Sequence, residues 1–442
     1  MKYTRLFVMI CLLAGALPAA AQNVKRLSIQ EAIDLSLKNS KQLKSRQAQI
    51  DEAIASIGEA TDTRLPSLAV SGSYLRLNSP HIDLKTGKDS SSTGGSGKGS
   101  PQVSQAAYGI VNLSLPIYAG GKIRYGIESA RYLEKAARLD GDNDREGIAI
   151  NTINAYSNLY KANAAVNIVR ENLNGANQRV KDFSNLEKNG LLARNDLLKA
   201  QLQASNVELS LLEAESNARI AAVNMSIMIG LPEETALSTD SIGYQPPAQS
   251  ASVLDWENRA LQSRKDLAAL SYREKASNTA IKIAIADYYP SLALTGGYIA
   301  AYVPHVLTIT NAANVGVGVQ YNLSFWKAKS KIQQAKARVQ QVQASQDILS
   351  DAVRLQINQA YQTHLLSQRK IDVYAKAVEQ SRENYRITKN KYDNSLVTTT
   401  DLLDADVAQL QSKLNYEFSK ADAMVAYNQL LQAAGVLNTT NK

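Results

Sequence analysis

The stretch that begins AKSKIQQAKARVQQVQAS at Ala328 and continues to Tyr392 contains neither proline nor glycine. Small or apolar residues recur in it at intervals of three and four, a spacing typical of one helix face: Ile332, Ala335, Val339, Val342, Leu349, Val353 and Ala360. At about 1.5 Å per residue, such a helix is roughly 100 Å long. Turn formers and β-branched residues at 393–400 interrupt it, and a second heptad-like run follows. The sequence therefore predicts a long helical hairpin over residues 328–434.

The same plan occurs earlier in the chain. The segment LPSLAVSGSY at 65–74 matches YPSLALTGGY at 289–298, and Asp196-Leu197-Leu198 matches Asp401-Leu402-Leu403. We interpret residues 22–230 and 253–435 as two structural repeats, joined by a linker at 231–252 and followed by a tail at 436–442. Strands are predicted at 65–77 and 106–118 in the first repeat and at 289–303 and 313–325 in the second. The first repeat ends in a helical hairpin over 122–229.

Residues 1–21 have the pattern of a signal peptide. Lys2 and Arg5 precede an apolar core, and Ala19-Ala20-Ala21 fits the cleavage rule. The only cysteine, Cys11, lies inside this leader. We therefore expect an exported mature chain without disulfides, and we find no later apolar run of the length that a transmembrane helix requires.

The four predicted strands alternate apolar and polar residues over about ten positions, the length that crosses a bilayer at a tilt. A soluble β-hairpin that packs one face on a core has the same pattern. In lipid, however, a sheet cannot keep open edges, and the smallest spanning barrels have about eight strands. Four strands per chain would then have to combine with those of other copies, and the strand count leaves two or three copies open.

Residues that carry chemistry are sparse. The net charge of +9 comes from basic residues interleaved with acids, which argues against a nucleic-acid surface. His81, His305 and His364 are far apart, and no nucleophile or phosphate-binding motif is present. We expect no enzyme activity, no metal and no cofactor. An exported structural coiled-coil protein with no channel remains an alternative class, although it leaves the four strands unexplained.

Together with the leader and the duplicated plan, two features carry a resemblance to a known family. They are the strand-to-helix turn Pro116-Ile117-Tyr118-Ala119-Gly120-Gly121 and the two Asp-Leu-Leu hairpin ends. Over residues 28–437 the sequence resembles the TolC family of outer-membrane efflux proteins. The resemblance implies a mainly α fold with a transmembrane β-barrel. In that fold a homotrimer contributes four β-strands per protomer to the barrel, and long antiparallel helical hairpins form an α-barrel tunnel.

The resemblance also implies a location and a function. The barrel would lie in the outer membrane of a Gram-negative bacterium, in contact with lipid, with the helical part in the periplasm. The protein would be the passive channel of a tripartite efflux system. Its partners would be a periplasmic adaptor (a membrane fusion protein) and an inner-membrane pump of the resistance-nodulation-division type. The outer duct of a type I protein secretion system is the alternative, and the transported substrate stays open.

Candidate site residues lie at the hairpin ends. Asp401 and Asp404 share one helix face, where they either complement the helix N-terminus or form a site. The resemblance assigns both to acidic rings at the periplasmic aperture, and it assigns Tyr392 and Asp196 to the latch that holds the aperture closed. Val397 stands where that latch has an arginine, and Lys199 is expected to pair with an aspartate. The resemblance also implies that the adaptor contacts the hairpin tips, at Gly190, Leu191, Leu192, Ser395, Leu396 and Val397.

Overall fold

The computed structural model describes residues 25–78, 103–240, 251–304, 307–321, 323 and 325–437. The predicted signal peptide, residues 241–250 of the predicted linker, most of the predicted tail, and the histidines at 81 and 305 lie outside these ranges. The structure is mainly helical. Its helices are α1 (Ile29–Asn39), α2 (Lys41–Asp62), α3 (Lys122–Lys188), α4 (Arg194–Ile229), α5 (Val253–Ser263), α6 (Lys265–Ala286), α7 (Phe325–Asp393) and α8 (Thr399–Ala433). Its strands are β1 (Lys25–Leu27), β2 (Ser67–Arg76), β3 (Gln105–Ala119), β4 (Leu237–Thr239), β5 (Ser291–Val303) and β6 (Leu307–Gln320).

The chain divides into two compact units. The helical unit consists of the described residues within Met1–Gln47, Leu139–Leu267 and Ile348–Lys442. The sheet unit consists of those within Ala48–Arg138 and Ala268–Asp347. Both hairpin ends and the candidate site residues belong to the helical unit.

The sheet unit contains a four-stranded antiparallel sheet in the order β2–β3–β5–β6. Cross-strand partners share a face, so the register defines one apolar face, formed by Leu68, Val70, Val111, Leu113, Leu115, Leu292, Leu294, Val315, Val317 and Val319. Polar residues such as Asn112, Thr295 and Asn314 occupy the other face. The apolar face is largely uncovered, and Val315 is 84% exposed. The described sheet is open, with β2 and β6 as its edges.

A β-bulge lies between Pro116 and Tyr118. It brings Tyr118 opposite Leu292, and therefore onto the apolar face, because the extra residue shifts the alternation by one. The chain then turns into α3 at Gly120 and Gly121, whose φ angles are +61° and +85°. A Cβ on Gly120 would lie 2.6 Å from the carbonyl oxygen of Ala286, so this turn requires glycine.

The prediction for the fourth strand was wrong at both ends. We expected residues 313–325, whereas β6 covers Leu307–Gln320 and Phe325 begins α7. The reason is the partner strand, because β5 pairs with β6 from Val303↔Leu307 to Ser291↔Gln320. Backbone pairing therefore includes residues 307–312, where the alternation breaks at Asn311. The pairing with β5 ends at Gln320, and the second hairpin begins at Phe325 rather than at residue 328.

The predicted linker also contains structure, since β4 pairs in parallel with β1 at one end of the helical unit. Leu27 and Leu237 are buried there in a cluster with Leu159, Met225 and Ile229. The hydroxyl of the neighbouring Tyr156 donates to the Leu27 carbonyl at 2.9 Å and accepts from the Asp240 amide at 3.1 Å. Three-residue strands are too short for alternation to reveal them. Burial of the two leucines and these hydrogen bonds stabilise them instead.

A partly buried charge cluster connects α3 with the α5–α6 junction. The Arg264 guanidinium donates to both carboxylate oxygens of Asp266, at 3.0 and 2.6 Å, and to the Ala433 carbonyl at 3.0 Å. Glu146 on α3 is buried nearby. Burial raises the pKa of Glu146 from its ordinary value near 4.5 to about 7, and the positive charges of Lys265 and Arg264 only partly oppose this rise.

We predict that Glu146→Gln reduces the pH dependence of stability. A carboxyl whose pKa is raised in the folded state costs stability as pH rises from about 4.5 through about 7, because the unfolded state ionises more easily. The parent should therefore lose stability between pH 5 and pH 8, and the variant should lose less. At pH 8 the variant should be more stable by roughly 1–2 kcal/mol, a value reduced for screening by solvent. Thermal unfolding followed by circular dichroism at several pH values measures this. Parallel curves for the two proteins would contradict the prediction.

Candidate functional site

The second hairpin turns sharply between α7 and α8. The amides of Ser395 and Leu396 donate to the carbonyls of Tyr392 and Lys391, each at 2.8 Å. Ser395 adopts a φ of +60°, which is uncommon for a residue with a side chain. The tip that results is exposed, and Leu396 shows 72% of its surface.

Asp401 completes a capping box at the start of α8. Its amide donates to the hydroxyl oxygen of Thr398 at 3.2 Å. Its Oδ2 accepts from the Thr398 hydroxyl at 2.7 Å and from the Thr398 amide at 2.9 Å. These hydrogen bonds, with that from the hydroxyl the strongest, lower the pKa of Asp401. The contacts that the helix-capping interpretation requires are therefore present, and the carboxylate is ionised at neutral pH.

Asp404 lies one turn further along α8. It is exposed, and none of the described side chains forms a hydrogen bond or an ion pair with it. Asp401 and Asp404 thus present two exposed carboxylates from successive positions on one helix face. A set of such carboxylates attracts cations.

The first hairpin has a similar end. Gly190 has a φ of +72°, and the Leu191 amide donates to the Leu186 carbonyl at 2.8 Å. Leu191 is 74% exposed. On α4 the Lys199 ammonium lies 3.4 Å from Oδ1 of Asp196, the pairing that we expected for Lys199. The same ammonium donates to the Thr400 hydroxyl at 3.3 Å, which links the two hairpins.

Tyr392 also joins the two hairpins. Its ring stacks on Phe183 of α3, with centroids 5.5 Å apart. The Thr399 hydroxyl donates to the Tyr392 hydroxyl at 3.4 Å. Beside this aromatic pair, Leu197 and Leu402, the first leucines of the two Asp-Leu-Leu motifs, are buried in one cluster. Each motif therefore places a carboxylate near its hairpin tip, and each contributes a leucine to the cluster that the two hairpins share.

Sequence reasoning missed a buried ion pair in this region. The Arg179 guanidinium donates to Oδ2 of Asp406 at 3.1 Å and to the Tyr385 hydroxyl at 3.0 Å. The side chains of Arg179 and Asp406 are only 10% and 7% exposed. The sequence does contain a signal of this ion pair. Asp406 occupies the fourth position after the buried Leu402 and so falls in an apolar stripe.

A cavity of about 410 Å³ lies against this ion pair. Its walls come from the C-terminal part of α3, the end of α7 and the start of α8, and they include Phe183, Tyr385, Lys389, Tyr392, Leu402 and Lys413. Of the predicted site residues only Tyr392 lines it. The structure therefore brings Tyr392 next to the ion pair, and it places Asp401 and Asp404 outside the cavity.

The structure combines two long helical hairpins with a four-stranded open sheet. The sequence model of a family described as outer membrane efflux protein matches residues 32–231 and 256–436. The chain therefore belongs to the outer membrane efflux protein family, whose members are channels of the outer membrane rather than enzymes. None of the helices within the described ranges is long and apolar enough to cross a membrane.

Solved channel structures share the fold. The CmeC outer membrane channel of Campylobacter jejuni aligns with a TM-score of 0.77 and 18% identity, over 94% of this chain and 87% of that chain. The outer membrane protein VceC of Vibrio cholerae aligns with a TM-score of 0.72 and 20% identity, over 92% and 96%. The open-state MtrE outer membrane channel of Neisseria gonorrhoeae aligns with a TM-score of 0.70 and 17% identity, over 93% and 91%.

A curated relative is Nodulation protein T of Rhizobium leguminosarum bv. viciae. It is 24% identical over 248 residues, which cover 54% of this chain and 51% of that protein. The alignment thus spans about half the length of this relative.

Proposed function

We propose that this protein is the outer-membrane channel of a tripartite efflux system. Three copies of the duplicated chain form it, and their sheets close one twelve-stranded barrel in the membrane. The helical hairpins continue the barrel as a periplasmic tunnel. Substrates pass through passively after delivery by an inner-membrane pump of the resistance-nodulation-division type and a periplasmic adaptor.

The observation that carries this proposal is the open sheet with its uncovered apolar face. Unpaired strand edges and an apolar surface of this extent are both costly in water. Closure with sheets of other copies satisfies the edges of β2 and β6, and lipid covers the apolar face. Membership of a family of outer-membrane channels supports the same arrangement.

An exposed apolar stripe on α4 supports assembly in the helical unit. Large apolar side chains recur there at heptad-like intervals and are at least half exposed: Leu198, Leu202, Leu209, Leu212, Ile220 and Ile227. A stripe of this length on a lone helix is unfavourable in water. Packing against a second copy would bury it.

Within this proposal the hairpin ends form the gate. Asp401 and Asp404 supply carboxylates to the closed aperture, and Tyr392 and Asp196 hold the two hairpins together beside it. Because Val397 cannot form the salt bridge of the family latch, the contact from Lys199 to Thr400 takes over part of that role. The tip residues Gly190, Leu191, Leu192, Ser395, Leu396 and Val397 contact the adaptor, which the exposure of Leu191 and Leu396 favours.

Native mass spectrometry of detergent-extracted outer membranes tests the assembly. We expect a trimer that is absent from the soluble periplasmic fraction and that conducts ions in planar bilayers. A stable monomer in detergent, or recovery of the whole protein from the periplasm, would contradict the proposal. Genes for a pump and an adaptor beside the coding sequence would further favour efflux, whereas genes for an ATP-driven exporter would favour secretion.

A further inference from the structure

We propose that a basic face at the start of α7 binds the phosphate headgroups of anionic phospholipids in the leaflet that faces the helices. This inference rests on the proposed function, because the face lies beside lipid only if the sheet spans the bilayer. We call the exposed basic side chains Lys327, Lys329, Lys336 and Arg338 the α7 basic face.

The charged residues of this segment all have the same sign. Residues 325–346 contain five basic residues and no acidic residue, whereas acids are interleaved with basic residues in the rest of α7. Ala328, Ala335 and Val339 are buried and define the side of the helix that packs on the protein. At about 100° per residue, the basic residues flank this buried side, with Lys329 and Lys336 on one flank and Lys327 and Arg338 on the other. Repulsion among them favours an anionic ligand on this surface.

Among the described residues, two carboxylates contact this segment, and one of them, Glu274, accepts from the Gln343 side-chain amide at 2.9 Å. Asp287 accepts from the Lys331 ammonium and, at 3.2 Å, from the Lys122 ammonium. Its pKa is lowered, chiefly by the hydrogen bond from Lys331. No described carboxylate pairs with the side chains of the α7 basic face. Asp287 therefore neutralises Lys331 and leaves the exposed basic residues available.

Aromatic side chains mark the position of this face relative to the sheet. β6 ends at Gln320, and α7 begins five residues later. Trp326 is 82% exposed, and Tyr118, Tyr289 and Tyr321 are also exposed at this end of the sheet. Tyrosine and tryptophan concentrate at the two membrane–water interfaces, and aromatic girdles flank the apolar band of spanning barrels. The aromatic residues therefore place the headgroup level at the start of α7.

Lysine side chains suit this position. Their aliphatic stems can lie along apolar surface while the ammonium groups reach the phosphate layer. Lys329 and Lys336 lie on the same side of the helix as Trp326, since their spacings of three and seven residues return to one face. The aromatic ring and Lys329 thus lie together near the acyl–headgroup boundary, and Lys336 lies on the same helix face about 15 Å further from the sheet. A phospholipid can contact both the aromatic ring, through its acyl chains, and the ammonium groups, through its phosphate. Free phosphate can contact only the ammonium groups.

The test uses the detergent-solubilised protein and native mass spectrometry with dioleoylphosphatidylglycerol or dioleoylphosphatidylcholine. We expect the parent to retain phosphatidylglycerol in preference to phosphatidylcholine. The variant Lys327→Gln/Lys329→Gln/Lys336→Gln should bind phosphatidylglycerol about tenfold more weakly, because each lysine near an anionic surface contributes to the attraction. Lys331 is left unchanged because it pairs with Asp287. Inorganic phosphate at millimolar concentration should not displace the lipid.

A matched variant, Lys370→Gln/Lys376→Gln/Lys391→Gln, removes the same charge from exposed positions further along α7. It should bind phosphatidylglycerol like the parent. Equal retention of both lipids, equal loss in both variants, or binding of peptidoglycan fragments in place of lipid would overturn the inference. If the protein remains a conducting trimer in these cases, the proposed function stands and only the lipid site fails. A monomer without conductance would instead contradict the proposed function.

Discussion

Asp406→Ala should destabilise the protein by about 3–5 kcal/mol, because it leaves the buried guanidinium of Arg179 without its carboxylate. The Tyr385 hydroxyl would be the strongest remaining partner, and a neutral oxygen compensates a buried cation poorly. The loss should appear as an earlier transition in thermal unfolding of the detergent-solubilised protein, followed by circular dichroism.

Two variants separate this effect from charge removal in general. Asp404→Ala removes an exposed carboxylate two residues away and should change stability by no more than about 0.5 kcal/mol. The double change Arg179→Met/Asp406→Leu replaces the pair with apolar side chains and should recover much of the loss, because neither charge remains buried. A single Asp406→Ala variant as stable as Asp404→Ala would show that the ion pair contributes little.

The long helices could be predicted because two local features agree over many residues. The stretch that becomes α7 has no proline or glycine, and its apolar residues keep one helix face. Strands β2, β3 and β5 overlap the segments with clear alternation. The limits of β6 could not be predicted in the same way, because its partner β5 determines where backbone pairing starts and stops. The short strands β1 and β4 depend even more on tertiary packing.

In the candidate site, too, local features could be predicted from the sequence and contacts between distant residues could not. The capping box of Thr398 and Asp401 is local, since a threonine three residues before an acid is a known helix-start pattern. The ion pair of Arg179 and Asp406 joins residues 227 positions apart, so spacing along the chain carries no information about it. Only the apolar position of Asp406 on α8 indicated that this carboxylate had to find a buried partner.

Removal of the charges of Asp401 and Asp404 should relieve block of the channel by multivalent cations. In a trimer, three copies of both residues would bring exposed carboxylates around a narrow opening, and rings of acidic side chains attract cations. Hexamminecobalt added from the periplasmic side should therefore block single-channel current in the parent. Asp401→Asn/Asp404→Asn should raise the concentration for half-block at least about tenfold, because the ring loses its charge. Planar-bilayer recordings measure both values.

The capping role of Asp401 makes a control necessary, and Thr398→Ala provides it. This variant removes the Thr398 hydroxyl, which forms hydrogen bonds with Asp401, and leaves both carboxylates in place. It should lower stability by about 0.5–2 kcal/mol, the usual effect of a lost cap, while block by hexamminecobalt persists. Asparagine at 401 retains an oxygen that accepts hydrogen bonds, so the double variant should keep most of the cap. If the double variant is blocked at the same concentration as the parent, Asp401 only caps α8 and the cation-attracting ring lies elsewhere in the channel.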